Sequence, residues 1–287
     1  MTDWRYFPFV CSRMRWSVPC AWNLDYFRSP ESTNLEKPEI SMNTEDEEVV
    51  AMARADGIAI LTDLFATDEL TEIRRQFDQV YLDTGKGPGE PGTRDSISGE
   101  ALLRYPALAN LFIHPRILGI VSAILSAKSP WLWQLKTNRY TPEHPGVGKH
   151  TDGFPGEISP PFTRQAMAVF LDDISVSSGA LTYVPGTHTL HYEDPADSSR
   201  QAPSKEDIGV GNYIPAELKA GSVLFRVPEV WHAVIPIHHL RRYVTGSYAT
   251  RGRVSQVMAD KIKGVSEKRA QVPAAEIPAE FRRILSY

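Results

Sequence analysis

The chain is organised around one stretch, Gly148-Lys149-His150-Thr151-Asp152-Gly153-Phe154. Its histidine and aspartate stand two residues apart, so His150 and Asp152 share a face if the backbone is extended. One imidazole and one carboxylate are two thirds of a facial-triad iron site, which needs a second histidine. His232, set in the apolar run Val230–Val234, can supply it. The pattern predicts a metal centre of His150, Asp152 and His232.

A His-x-Asp pattern is weak by itself, because three common residues in this order arise by chance in many proteins. His150 and Asp152 could belong to a surface turn between Gly148 and Gly153. His232, beside a tryptophan in an apolar strand, could be a hydrogen-bonded core histidine. The metal interpretation therefore depends on the motifs that lie between and after these residues.

Length and composition set the class of protein. The chain has 287 residues, 42% of them hydrophobic and 23% charged, which is ordinary for a globular protein of one large or two small domains. A net charge of -4 indicates neither nucleic acid nor an anionic membrane surface as a partner. No uninterrupted apolar run is long enough to predict a membrane span. Cys11 and Cys20 stand close together near the start, so we expect no disulfide scaffold and a reducing, cytoplasmic location.

Three segments are expected. Residues 1–41 lack helical or strand periodicity, and we interpret them as an N-terminal extension, disordered or preceding a true start at Met42. Residues 42–255 form the main domain. Residues 191–213 are polar and too long for an ordinary connection, which predicts an insert or lid. Residues 256–287 form a tail that is helical in pieces.

The periodicity predicts helices early in the chain and short strands later. Helices are expected before Gly57, from Thr67 to Tyr81, and from Leu102 to Leu125 with an interruption near Pro115. The glycine-rich residues 84–98 predict a loop. Strands are predicted at 58–61, 131–140, 165–171, 180–184, 221–226, 230–235 and 242–249. This order favours a mainly β sandwich or barrel with a helical buttress.

A facial triad leaves three coordination positions of the iron ion open, which suits a bidentate 2-oxo acid together with dioxygen. The far carboxylate of such a cosubstrate needs a cation, and arginine grips both oxygens. Arg242 begins the strand after His232 and is our candidate; Arg241, its neighbour, should face the other way. Thr182 and Gln134 are further candidates for contacts with the cosubstrate.

Several motifs follow one another in a recognisable order. They are His150-Thr151-Asp152, Leu171-Asp172-Asp173, Ser178-Gly179-Ala180-Leu181, Val184-Pro185-Gly186-Thr187-His188, Ala220-Gly221-Ser222-Val223-Leu224-Phe225, His232 and Arg242. Together with Asp56–Ile60, this order resembles the phytanoyl-CoA dioxygenase family of iron(II)/2-oxoglutarate oxygenases. Two local departures are Ser178, where the family often has Asn, and the run Ile235–His239, where it often has an Asn-rich stretch.

The resemblance implies a double-stranded β-helix (jelly-roll, cupin-like) core. It also implies Fe(II) bound by His150, Asp152 and His232, and 2-oxoglutarate bound by Arg242. The choice between Arg241 and Arg242 stays open, because the sequence after the second histidine departs from the family's.

The expected activity is oxidation of a C–H bond in a small organic metabolite, consuming 2-oxoglutarate and O2 and releasing succinate and CO2. Hydroxylation is the default, with desaturation or ring formation as alternatives, and a role in secondary metabolism fits. Asp152 argues against a halogenase, which needs the carboxylate position vacant. The alternative function is a non-catalytic, cupin-like metal-binding or structural protein, followed by a metal-dependent hydrolase.

The substrate pocket is expected to include Trp133, Phe154, Phe162 and residues of the insert, which suggests a fairly apolar metabolite. We expect a small-molecule substrate as the partner, neither nucleic acid nor membrane, and we leave a homodimer open.

Overall fold

This computed structural model describes residues 42–153, 158–252 and 272–285, together with residues 254, 256, 259–262 and 264. The proposed extension 1–41 and the pocket candidate Phe154 lie outside the described residues. The described residues from Met42 onward belong to one compact unit.

Helix α1 runs from Thr44 to Asp56, and local chemistry sets both of its ends. The Asn43 side chain accepts a hydrogen bond from the backbone N–H of Asp46 at 2.8 Å. Gly57 ends the helix with φ of 81°, a left-handed conformation that glycine adopts without strain. Its missing side chain also makes room for a neighbour, since a Cβ there would lie 2.7 Å from His188 Nδ1.

Three further helices complete the buttress: α2 (Thr67–Asp83), α3 (Pro106–Ile113) and α4 (Pro115–Leu125). The span Pro106–Leu125 has 20 residues and contains a window with a mean hydropathy of 1.7, enough in length and composition to cross a membrane. The chain breaks there into two helices at His114, because Pro115 starts a new helix at its first position. Most apolar side chains of both helices pack into the protein core, as expected of core helices.

In the part of the chain that the structure describes, ten strands form two antiparallel sheets. They are β1 (Ile58–Leu61), β2 (Arg94–Ser98), β3 (Trp131–Tyr140), β4 (Val147–His150), β5 (Arg164–Phe170), β6 (Leu181–Tyr183), β7 (Ile214–Ala216), β8 (Val223–Arg226), β9 (His232–Val234) and β10 (Arg241–Ala249). The larger sheet has the order β1-β8-β5-β10-β3-β2, and the smaller has the order β4-β9-β6-β7. Non-sequential neighbours in both sheets show that the chain crosses repeatedly between them.

The main core lies between the helices and one face of the larger sheet. Alternate strand residues such as Leu135, Met167 and Phe225 pack there against Phe112 and Ile120. A smaller apolar cluster, including Phe170, Leu181 and Leu224, lies between the two sheets. These three residues also line a cavity between the sheets, on the inward face of the larger one.

The prediction of a loop over residues 84–98 is wrong at its end, where Arg94–Ser98 form β2. This strand has the sequence Arg-Asp-Ser-Ile-Ser and pairs with β3 at the edge of the larger sheet. An edge strand buries little side-chain surface, so it lacks the apolar alternation that identifies inner strands.

The predicted insert contains ordered structure. A short 3-10 helix, Thr187–His191, leads into it, and helix α5 covers Lys205–Val210 within it. The Lys149 ammonium, on the ligand-bearing strand β4, donates to the carbonyl of Gly209 at 2.6 Å. The second half of the insert therefore lies against the strand that carries His150, while a lid movement stays a prediction.

The C-terminal helix Ala279–Leu285 packs on the main core through Phe281, Ile284 and Leu285. The indole N–H of Trp131 donates to the carbonyl of Leu285 at 3.0 Å. This end of the chain thus covers the outer side of β3.

His188 should make the stability of the fold dependent on pH. It is fully buried with Nε2 3.1 Å from the carbonyl of Arg54, and burial lowers its pKa to about 4. In the unfolded chain this histidine has a pKa of 6.5. Its contribution to the free energy of unfolding is therefore fully present above that pH, and it is lost as the pH drops towards 4. At pH 5 the loss is about 2 kcal/mol.

We expect His188→Gln, which retains a hydrogen-bond donor, to lose about 2 kcal/mol less free energy of unfolding than the wild type between pH 7 and pH 5. Urea unfolding of both proteins at the two pH values measures this difference. Equal losses would show that His188 already carries its proton in the folded protein.

Candidate metal centre

Strand pairing brings the two histidines together. His150 ends β4, His232 begins β9, and the antiparallel register places the two residues directly opposite each other. Their ring centroids are 4.1 Å apart. Residues distant in the sequence thus become neighbours through main-chain hydrogen bonds, before any metal is considered.

Asp152 completes the cluster from the loop after β4. Its backbone N–H donates to the carbonyl of Pro228 at 2.9 Å, which ties this loop to the turn before β9. Its carboxylate oxygens lie 3.6 Å from His150 Nε2 and 4.0 Å from His232 Nε2. One ligand atom from each of the three residues can be chosen so that all lie within 4.8 Å of one another.

Both imidazoles present the same nitrogen to the centre of the cluster. His150 Nδ1 lies 2.7 Å from the carbonyl of Gly148, and His232 Nδ1 lies 2.9 Å from the carbonyl of Val230. Each Nδ1–H therefore donates to a backbone carbonyl, which leaves the lone pair of Nε2 facing Asp152. This orientation suits metal ligation. Two imidazole nitrogens and one carboxylate oxygen match the donor set of a facial iron(II) site.

The protonation states also suit a metal. Burial, with a smaller contribution from Arg226, lowers the pKa of His232 to about 3, so its imidazole is neutral at neutral pH. Burial opposes ionisation of Asp152, but Arg226 and His150 outweigh it and hold the pKa of the carboxyl well below its usual range. Hydrogen bonding to Asp152 raises the pKa of His150. A proton and a metal ion therefore compete for His150 Nε2, so metal binding should weaken as pH falls.

The cluster opens into a cavity of about 380 Å³ between the two sheets. Its floor is the inward face of the larger sheet, where residues stand in rows across paired strands. One row is Gln134–Ser247–Ala166–Arg226, the next Lys136–Thr245–Ala168–Leu224, the next Asn138–Tyr243–Phe170, and the last Tyr140–Arg241. All of these residues line the cavity. Arg226 stands in the first row, and Arg241 in the last.

Arg241 is 2% exposed and lines the cavity. Its guanidinium carbon lies 5.4–5.6 Å from the ring centroids of Tyr140, Phe170 and Tyr243, and Nη1 donates to the carbonyl of Gly179 at 3.1 Å. Its Nε has no hydrogen-bond partner, and no carboxylate lies within ion-pair distance, among the residues that the structure describes. A buried guanidinium in this state is suited to receive an anion.

The prediction that Arg242 faces the cavity is wrong. Arg242 points to the opposite side of the sheet, where Nη2 lies 2.8 Å from Asp172 Oδ1 and Nη1 lies 2.9 Å from Asp78 Oδ2 on α2. Both arginines begin the same strand, so a shift of one residue exchanges their faces. The inward set is Arg241, Tyr243, Thr245 and Ser247.

Of the other two cosubstrate candidates, the structure brings one to the cavity. Gln134 lines it, and its Oε1 accepts a hydrogen bond from the Ser247 hydroxyl at 3.2 Å. Thr182 does not line it, although it is buried in β6 between β7 and β9. Its neighbour Leu181 faces the cavity, because successive residues of a strand point to opposite faces.

Of the proposed aromatic wall, the structure places Trp133 at the cavity but not Phe162. Trp133 lines the cavity, and its indole N–H has no hydrogen-bond partner among the described residues. Phe162 lies elsewhere, with its ring 5.3 Å from that of Tyr192 and 5.1 Å from the guanidinium carbon of Arg54. Cationic side chains also line the cavity, among them Arg226 and Arg241.

Comparison with protein families places this geometry in a known group. Residues 53–237, more than half of the chain, match the model of the family described as phytanoyl-CoA dioxygenase (PhyH). The chain belongs to the phytanoyl-CoA dioxygenase family. As a member of this family, it is a 2-oxoglutarate-dependent non-haem iron dioxygenase, with Fe(II) as its metal. A comparison with curated protein sequences found no match.

Solved structures of similar fold include other proteins of this chemistry. The carbocyclase SnoK from nogalamycin biosynthesis, described as non-haem and α-ketoglutarate-dependent, has 20% identity and a TM-score of 0.57, covering 71% of this chain and 83% of its own. EctD from S. alaskensis, solved with 2-oxoglutarate and 5-hydroxyectoine, has 17% identity and a TM-score of 0.57, with coverages of 71% and 76%. HygX from Streptomyces hygroscopicus, solved with nickel and 2-oxoglutarate, has 17% identity and a TM-score of 0.56, with coverages of 71% and 87%. The shared fold is the double-stranded β-helix that the sequence predicts.

Sequence reasoning missed Arg226, which contacts two of the candidate metal ligands of this dioxygenase. Its Nη2 donates to Asp152 Oδ2, and its Nη1 lies 3.4 Å from His232 Nδ1. It ends β8, six residues before His232, as the one charged residue of that strand. The available signal was a charged residue at the end of an otherwise apolar inner strand. Such a residue indicates a polar contact inside the protein.

We expect Arg226→Met to weaken metal binding about tenfold, in line with the effects of removing groups that orient ligands. Two effects oppose each other, because Arg226 repels the metal's charge while it holds the carboxylate of Asp152 in place. Orientation should dominate, since the Asp152 side chain is 47% exposed and comes from a loop. Competition with a metal-binding dye, using Co(II) or Ni(II), measures the affinity.

Arg75→Met is the matched control, because Arg75 pairs with Glu72 on an exposed face of α2. It should leave metal affinity unchanged. Tighter metal binding by Arg226→Met would mean that charge repulsion outweighs orientation.

Proposed function

We propose that this dioxygenase hydroxylates an unactivated C–H bond of a small organic metabolite, consuming 2-oxoglutarate and O2 and releasing succinate and CO2. One observation carries the proposal. A buried arginine without a carboxylate partner among the described residues, Arg241, lines the same cavity as the cluster of His150, Asp152 and His232. A cosubstrate with one end on the metal and a carboxylate at the other requires this pair of features.

In this proposal each residue has a defined task. His150, Asp152 and His232 hold Fe(II) through two nitrogens and one oxygen, and the bound metal supplies the oxidising chemistry. Arg241 binds the distal carboxylate of 2-oxoglutarate in place of Arg242. The rings of Tyr140, Phe170 and Tyr243 surround Arg241 and keep water away, which strengthens a charge-assisted hydrogen bond.

Gln134 is assigned a contact with the cosubstrate or with the substrate next to it. Its row of the cavity floor also contains Arg226, which contacts Asp152, so the row lies beside the metal centre. The bond from the Ser247 hydroxyl fixes the amide oxygen, which leaves the amide N–H groups as donors towards the cavity.

The test uses the full chain, loaded anaerobically with Fe(II) and 2-oxoglutarate and then exposed to air. We expect succinate release and oxygen uptake above those of a His232→Ala sample prepared in parallel. Candidate metabolites are then screened for increased succinate release and for a product one oxygen atom heavier. Succinate release no greater than that of His232→Ala under all conditions would favour a non-catalytic, cupin-like metal-binding protein.

The same screen tests the type of reaction. A product that has lost two hydrogen atoms, or closed a ring, would overturn hydroxylation while leaving the oxygenase intact. The similarity to the carbocyclase SnoK from nogalamycin biosynthesis supports including natural-product scaffolds in the screen.

A further inference from the structure

A short turn joins β8 of the larger sheet to β9 of the smaller one. It covers residues 227–230 and is closed by a hydrogen bond between its first carbonyl and its last N–H at 3.1 Å. Two of its carbonyls hold candidate metal ligands. The carbonyl of Pro228 accepts the backbone N–H of Asp152 at 2.9 Å, and the carbonyl of Val230 accepts Nδ1–H of His232 at 2.9 Å. The position of this turn therefore affects two of the three ligands.

A buried ion pair lies beside this turn. The carboxylate of Glu229, in the middle of the turn, accepts a hydrogen bond from Nη2 of Arg164, the first residue of β5. Glu229 is 4% exposed and Arg164 is 3% exposed. Glu229 also lies next to the loop that carries Asp152, since a Cβ built on Gly153 would lie 3.8 Å from Glu229 Cγ. The pair thus connects the larger sheet to the turn at the point where this loop contacts it.

Stability alone is a weak reason for a buried ion pair at this place. Taking two charges out of water costs free energy that their attraction offsets only in part, and apolar side chains of similar size often give an equal or higher stability.

Both ends of the turn are also held by other hydrogen bonds. The N–H of Val227 donates to the carbonyl of Gly57 at 2.8 Å. The N–H of Trp231, directly after the turn, donates to the hydroxyl of Thr187 at 3.0 Å. What the ion pair adds is a fixed orientation of the middle of the turn, because a hydrogen-bonded guanidinium and carboxylate accept a narrow range of geometries.

We propose that Arg164 and Glu229 are positioning residues of the metal site, which fix the turn 227–230 and, through its carbonyls, the orientation of Asp152 and His232. Neither residue is a metal ligand in this inference, which rests on the proposed function for the ligand set. Donor atoms that are already directed at one point need less ordering when a metal ion binds, so the pair should raise metal affinity.

The experiment uses the full chain and replaces the buried ion pair by apolar side chains. In the double variant Arg164→Met/Glu229→Leu, the affinity for Co(II), measured by competition with a metal-binding dye, should fall about tenfold or more. Its urea unfolding midpoint should stay close to that of the wild type, because apolar replacement of a buried pair is often neutral. Glu229→Gln retains an acceptor for Arg164 and should lose less affinity. The absorption spectrum of bound Co(II) should change in the double variant, because it depends on the arrangement of the ligands.

Arg139→Met/Asp95→Leu is the matched control at a second ion pair. Nη2 of Arg139 lies 2.8 Å from Asp95 Oδ2, and the Arg139 side chain is 7% exposed. Its guanidinium carbon lies 4.1 Å from the ring centroid of Tyr81, on the face of β3 that points away from the cavity. This variant should bind Co(II) as the wild type does, even where it unfolds at a lower urea concentration.

Unchanged Co(II) affinity in Arg164→Met/Glu229→Leu would overturn the inference. An equal loss of affinity in the control would overturn it as well, because it would mean that loosening the fold at any place weakens the site. Both outcomes leave the proposed function intact. Co(II) binding by the wild type no tighter than that of His232→Ala would instead overturn the ligand set, and with it the proposed function.

Discussion

Arg241→Ala should raise the apparent KM for 2-oxoglutarate about a hundredfold or more. The guanidinium is 2% exposed and surrounded by three aromatic rings. A carboxylate bound there loses the buried cation that contacts it, and removing one member of a buried ion pair costs about 3–5 kcal/mol. Since about 1.4 kcal/mol is tenfold, this corresponds to at least two orders of magnitude.

Arg241→Lys separates charge from shape at the same position. An ammonium keeps the positive charge but lacks the planar fork that binds both carboxylate oxygens, so it should restore only part of the affinity. Titrating 2-oxoglutarate while measuring succinate release gives KM and kcat separately for both variants. The effect should be concentrated in KM, because Arg241 does not contact the metal cluster.

Arg242→Ala is the matched control on the other face of the same strand. It should leave the KM for 2-oxoglutarate within about twofold of the wild type, because its side chain pairs with Asp172 and Asp78 outside the cavity. It should instead lower the free energy of unfolding by about 1–3 kcal/mol, by leaving Asp172 without its charged partner. If Arg242→Ala were the variant with weak 2-oxoglutarate binding, the register of β10 described above would be wrong.

Replacing any one of His150, Asp152 and His232 by alanine should reduce succinate release by more than a hundredfold. Losing a group that merely orients a ligand costs about 10–100-fold in metal affinity or activity, and losing a ligand itself should cost more. Two remaining donors hold an iron(II) ion weakly. Metal content and succinate release, measured in parallel, test each position.

Asp152→Gly distinguishes loss of metal from loss of geometry. The two histidines are held by strand pairing and by their own Nδ1 hydrogen bonds, so they stay in place without Asp152. Some metal should remain bound, yet product formation should stop. His239→Ala, an exposed position, is the control for both series. Full product formation by Asp152→Gly would place the carboxylate ligand elsewhere in the chain.

Much of the site is determined by the sequence itself. The two-residue spacing of His150 and Asp152, and the histidine within the apolar strand β9, predict the cluster that strand pairing forms. Ordered motifs also predict the family and its fold, because turn residues and inward strand residues are constrained locally. Helix α1 follows from its capping residues, and α2 follows from the acidic residues of its first turn and from its periodicity, which are local as well.

The choice between Arg241 and Arg242 was decided only by the tertiary structure. Both residues start the same strand, and the face that each occupies depends on how β10 pairs with β3 and β5. A shift of one residue reverses every side chain of a strand, and two adjacent arginines give no local signal of the register. Thr182 was expected to face the cavity, and Leu181 faces it instead. The reason is the same, because the pairing of β6 decides which of two successive residues points inward.

The charge of the cavity was likewise invisible in the sequence. Arg226, Lys136 and Arg94 lie on three different strands, β8, β3 and β2. The sequence around each of them gives no sign that its side chain enters a shared cavity. They converge because β8, β3 and β2 belong to one sheet whose inward face lines the cavity. Local chemistry thus determined the residues of the candidate metal site, whereas sheet pairing decided which charges surround them.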